Sequence, residues 1–126
     1  MNIPENLLYT NDHEWILVNG NEAIVGVTDF AQHELGDIVY IEVDTVGEKV
    51  AMGETFGTIE AVKTVSDMLI PVDGEILEFN EALVNKPEVV NSDPYGEGWI
   101  VKIRIDNASQ LGDLLKPADY QKLIEA

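Results

Sequence analysis

The sequence predicts a mainly β fold, a flattened barrel or sandwich with one short helix in the N-terminal half and helices at the C-terminal end. Three observations carry that prediction. Alternation of apolar and polar residues with period two recurs along most of the chain. One stretch, Thr28 to Gly36, breaks the alternation and has helix-boundary residues at both ends. The middle of the chain carries similar strand–turn–strand patterns on either side of one lysine, Lys63.

Taken in order, Trp15 to Val18 begins a strand that Asn19-Gly20-Asn21 turns into a hairpin. On the return strand Ala23, Val25 and Val27 alternate with Glu22, Ile24 and Gly26. Thr28 can cap the following helix with its hydroxyl, and Gly36 suits the residue just past its end. Val39, Ile41 and Val43 then alternate with Tyr40, Glu42 and Asp44, a turn falls near Gly47, and Thr55 to Glu60 forms the next strand. Beyond Lys63 come Asp67 to Val72, a turn at Asp73-Gly74, and Glu75 to Phe79. Pro94 to Gly98 reads as a turn. Val101, Ile103 and Ile105 alternate with Lys102 and Arg104, the clearest inside–outside pattern in the chain. From Ser109 the leucines Leu111, Leu114 and Leu115 have helical spacing, Lys116-Pro117 breaks it, and a last turn runs through Tyr120, Leu123 and Ile124. No linker or low-complexity segment interrupts this series, so residues 1–126 read as a single domain.

Composition excludes several classes of function. With 24 acidic residues against seven Lys plus Arg, the formal net charge is −17. Binding to nucleic acid or to an anionic membrane needs clustered basic residues, which are absent. The acidic surface suits a soluble protein steered toward partners with basic faces. No stretch approaches membrane-spanning length, and the start MNIPEN has no secretory character, so a cytoplasmic location is expected, with a processed mitochondrial form as the alternative. There is no cysteine, which removes disulfides and Cys-based zinc sites. His13 and His33, with Glu14 and Glu34, show no metal-ligand spacing, so no metal is expected.

Lys63 is the residue that points to function. It falls on the turn between two strands, and Ala61, Val62, Thr64 and Val65 around it are all uncharged. A core has little use for a lysine there. An enzyme that must find and acylate one amine does, because an exposed tip over a rigid scaffold is reachable from outside. The lysine stem plus an acyl chain has roughly ten bonds of ~1.5 Å, a reach on the order of 10 Å or more. An ordinary solvated hairpin lysine is the bland alternative.

The segment EAVKTVSD (Glu60 to Asp67), followed by PVDGEI, resembles the glycine cleavage H-protein family. So do LLYTNDHEWI near the start, VGVTDFAQHELGDIVYIE, and NSDPYGEGWIVKI toward the end, in the same order. The resemblance covers nearly the whole chain. It implies a biotinyl/lipoyl-type β-sandwich with lipoate attached to Lys63 through an amide. Ala61, where the family commonly has Ser, and the apolar Met68-Leu69-Ile70 depart slightly from its pattern.

By that resemblance the chain is a non-catalytic carrier. Its arm would take an aminomethyl group from a pyridoxal-phosphate glycine decarboxylase to a tetrahydrofolate-dependent aminomethyltransferase. Its dithiol would then be reoxidised by a flavin-containing dihydrolipoyl dehydrogenase, and a separate lipoate-attaching enzyme would install the cofactor. A monomer is expected. The resemblance also implies that the loaded arm folds into a surface cleft, with Glu14 and Asp67 receiving its amine; Ser66 is expected to fix the turn. A lipoate relay, passing lipoate on to 2-oxoacid dehydrogenase complexes, is the alternative function. Biotin carriers have Met on both sides of the lysine, where this chain has Val62 and Thr64, and 2-oxoacid dehydrogenase lipoyl domains have Asp at the Val62 position. An unmodified acidic adaptor is the remaining reading.

Overall fold

The computed structural model describes residues 1–125; Ala126, the last residue of the expected domain, lies outside them. Among the described residues nine strands form two sheets, in keeping with the mainly β fold expected from the alternation. The larger sheet is built around a hairpin of β2 (Glu14–Asn19) and β3 (Glu22–Val27), turned at Gly20 with a φ of 67°. Strand β1 (Leu8–Tyr9) borders β2. On the other side, β3 pairs with β9 (Val101–Ile105), β9 with β8 (Gly74–Phe79), and β8 with β5 (Lys49–Val50). The smaller sheet has β6 (Thr55–Ala61) between β4 (Ile38–Glu42) and β7 (Val65–Leu69), all antiparallel.

One apolar core joins the two sheets. Ile16, Val25, Ile76 and Ile103 from the larger sheet pack in the same cluster as Ile41, Ile59 and Met68 from the smaller. Burial of this apolar surface is what drives the sheets together. A second cluster of Leu7, Tyr9, Trp15 and Tyr120 ties the chain's start to its C-terminal helix.

The helix α1 (Asp29–Leu35) starts and ends where expected. The Thr28 hydroxyl accepts the Ala31 N–H, and Gly36 follows with φ 81°. Elsewhere the structure corrects details. The strand after Lys63 is Val65–Leu69, two residues earlier than the alternation suggests; Ile70 and Val72 stay buried but leave the ladder. Ser66 therefore lies in that strand and not in the turn. The leucines after Ser109 belong to a 3₁₀ turn over Ala108–Asp113 and to an isolated bridge of Leu115 with Tyr9. Pro117 does not merely break that pattern: it opens the helix α4 (Pro117–Glu125), where its missing N–H costs nothing. Two single-turn helices, α2 (Ala82–Asn85) and α3 (Val89–Ser92), were not expected. No described helix is long and apolar enough to cross a membrane.

Candidate functional site

Lys63 occupies the tip of the β6–β7 hairpin. The Ala61 N–H donates to the Thr64 carbonyl at 2.8 Å, and the Val62 N–H donates to the Asp37 carbonyl at 3.1 Å, anchoring the tip to the end of α1. Lys63 is exposed, and Val62 and Val65 beside it are 70% and 61% exposed. Lys63 lines a shallow hollow with His33, Glu34, Leu35, Gly36 and Asp37.

A second hollow of about 260 Å³ lies farther along α1. Glu34 and Leu35 line both, so the two hollows adjoin at the C-terminal end of the helix. Three separate segments wall this cleft: Asp12, His13 and Glu14 at the start of β2; Phe30, Ala31, Glu34 and Leu35 of α1; and Ser66, Asp67 and Met68 of β7. Val27, Ile59 and Met68 are buried core residues and give it an apolar base. Glu14 and Asp67, far apart in sequence, thus line one cleft. Lys63 and Asp67, four residues apart across the end of the turn, are separated by at most about 13 Å along the chain, within the reach of a lysine-linked acyl arm.

The two acids differ. Asp67 is exposed. Glu14 is 2% exposed, one of three buried polar residues beside Thr28 and Asn80 among those described. Its Oε1 accepts the Thr10 hydroxyl at 2.7 Å, and its Oε2 accepts the Leu69 N–H at 3.3 Å. No cation pairs with it in the salt bridges among the described residues. Burial pushes its pKa up to about 8, more than the bonds from Thr10 and Leu69 pull it down. The carboxyl is therefore largely protonated at neutral pH, and a cation brought to it would favour ionisation and release a proton.

Next to Glu14, His13 has a φ of 70°, the one positive value outside glycine among the described residues. Its ring lies 4.8 Å from that of Phe30. Burial lowers its pKa against the opposing pull of Asp12 and Glu34. His13 and His33 do not share a ligand cluster: no group of three His, Asp or Glu able to hold a metal occurs among the described residues.

Comparison with known proteins identifies the scaffold. The family model described as glycine cleavage H-protein matches residues 7–126. This chain belongs to the glycine cleavage H-protein family. Among its relatives, a glycine cleavage system H protein from Bacteroides thetaiotaomicron is 57% identical over 124 residues, spanning 98% of each chain. Another, from Chlorobaculum parvum, is 60% identical over 126 residues, again 98% of each. The crystal structure of a glycine cleavage system H protein from Mycobacterium marinum superposes with a TM-score of 0.89 at 38% identity, covering 98% of this chain and all of that one.

Within this H-protein family member, the sequence alone singled out Lys63, Glu14 and Asp67 as candidates but not their surroundings. Thr10, Phe30, Glu34 and Tyr120 were missed. Phe30 and Glu34 sit four residues apart, a spacing that puts both on one helix face and was available in the sequence. Nothing local to Thr10 or Tyr120 announced their contacts.

Proposed function

We propose that this chain is the lipoate-bearing carrier of the glycine cleavage system, with lipoate joined by an amide to Lys63. The observation that carries the reading is an exposed lysine on a hollow that adjoins a second one, whose apolar base is flanked by a buried acid, Glu14. The residues present fit the group: a solvent-facing amine to acylate, and an apolar trough that suits a hydrocarbon chain and ring sulfurs. Lipoate supplies the dithiolane that takes up an aminomethyl group and two electrons, chemistry the protein itself does not have.

The chain's own residues bind and shield. Val62, Lys63 and Thr64 present the amine to a lipoate-attaching enzyme. Ile59, Met68, Phe30 and Leu35 take the apolar length of the arm. Glu14 and Asp67 would hold a cationic amine carried on the arm, Glu14 as the carboxylate with its proton lost to solvent. Drawing the amine into the cleft keeps water from it between visits to partners. Those partners are the pyridoxal-phosphate glycine decarboxylase, the tetrahydrofolate-dependent aminomethyltransferase and the dihydrolipoyl dehydrogenase. The chain acts as a single domain and a monomer, non-catalytic, in the cytoplasm.

The test is an intact mass of the protein co-expressed with a lipoate ligase and lipoate, followed by peptide mapping. One lipoyl adduct on Lys63 is expected. An unmodified chain, under conditions that lipoylate a known carrier, would overturn the proposal.

A further inference from the structure

The cleft's two long walls are joined from behind by a residue that does not line it. Tyr120, on α4, is fully buried. Its hydroxyl lies 2.9 Å from His13 Nδ1 and 2.7 Å from Thr28 Oγ1. His13 belongs to the wall that carries Glu14, and Thr28 is the N-cap that starts α1, another of the walls. The Tyr120 ring stacks on Tyr9 at 4.6 Å with the planes within 9°, which fixes where the hydroxyl points. Burial pushes its pKa up to about 12, so it stays a neutral phenol at working pH.

Both groups it touches need holding. His13 sits at positive φ, a conformation that persists in a non-glycine residue only where its surroundings impose it. Besides Tyr120, the His13 carbonyl accepts the Thr28 N–H at 3.0 Å, so the two walls meet at this point. The helix α1 has no fully buried residue; Ala31 and Leu35 pack against the core, and polar contacts tie down both of its ends. At its far end Asn91 donates to Gln32 Oε1 and to the Gly36 carbonyl; at its start stand Thr28 and Tyr120.

We infer that Tyr120 is a positioning residue for the arm cleft: its hydroxyl pins His13 and the start of α1 together and so sets the gap into which the loaded arm folds. The C-terminal helix thereby acts on a cargo it never touches. This rests on the docking proposed above.

Tyr120→Phe keeps the stacked ring and removes only the hydroxyl. Tyr9→Phe is the control, because the Tyr9 hydroxyl donates to the Pro4 carbonyl and to neither wall. Two readouts separate the clamp from the docking. The first is the ¹⁵N and ¹H imidazole titration of His13 in the unlipoylated protein, which needs no cargo. In Tyr120→Phe the His13 midpoint should move, because Nδ1 loses the hydroxyl it is bonded to, with Tyr9→Phe unchanged. A His13 titration identical to wild type overturns the clamp whatever the arm does.

The second readout is the rate at which the aminomethyl-loaded protein loses its cargo to water. Tyr120→Phe should speed that loss about three- to tenfold, the ratio expected from one net hydrogen bond, while lipoylation and dithiol reoxidation keep their rates. Equal protection in Tyr120→Phe and wild type overturns the positioning role. If even wild type protects its cargo no better than free aminomethylated lipoamide, the docking itself fails, and this inference with it.

Discussion

At the tip of the β6–β7 hairpin, one backbone hydrogen bond closes the turn and another ties it to Asp37, and Val62 and Val65 stand mostly in solvent beside Lys63. In the cleft, Glu14 is nearly inaccessible, both of its oxygens accept bonds, and His13 beside it is held in a backbone conformation that ordinary residues avoid. One region is built to be reached. The other is built to stay in place and to accept. A carrier needs both: an arm free enough to visit several enzymes, and a receptor rigid enough to select one chemical state of that arm.

The contrast is broken most completely at Lys63. Lys63→Arg should abolish lipoylation and all glycine cleavage in a reconstituted system, while the melting temperature stays that of wild type, because the side chain is exposed. Retained activity would show that the tip is not the attachment point. The next largest effect should come from the receptor. Glu14→Ala should leave lipoylation intact but speed loss of the loaded cargo about ten- to a hundredfold, the range of a charge-assisted hydrogen bond. The half-life of the loaded protein checks this.

The same residue should mark the stability of the protein. The Glu14 carboxyl ionises near 4.5 when unfolded and at about 8 when folded. Between those values the folded state holds the extra proton, so its contribution to stability is complete below about 4.5 and is lost as the pH rises to about 8. Urea unfolding of wild type and Glu14→Gln at several pH values should show the variant gaining on wild type across that window, by at most about 1.4 kcal/mol per pH unit. A constant difference would mean that Glu14 is ionised when buried. The smallest effect belongs to Asp67, which is exposed: Asp67→Asn should shorten the loaded lifetime by about threefold or less.

The exposed half of this comparison was legible in the sequence, and the buried half only in part. Lys63 stands out because it is a lone charge among uncharged neighbours on a turn, a pattern that suits presentation, in an otherwise acidic chain. The N-cap at Thr28 and the glycine at Gly36 likewise follow from local chemistry, and the helix sits where they put it. The hairpin strand after Lys63 was placed two residues late because Ile70 and Val72 continue the apolar run into the core after the ladder ends. The C-terminal segment misled for a similar reason: a proline that starts a helix and one that ends a helix look alike until the flanking turns are known. Tyr120 could not be found at all, since its partners are 107 and 92 residues away and only the tertiary fold brings them together.

The most direct test of the link between the two regions is a pair of ¹⁵N-¹H spectra of the lipoylated protein, before and after loading with the aminomethyl group. The backbone amides of His13, Glu14, Phe30, Glu34 and Asp67 should shift together on loading, with those around Lys63 changing as the arm leaves solvent. Shifts confined to Val62, Lys63 and Thr64 would show that the loaded arm stays in solution and that the cleft is not its receptor.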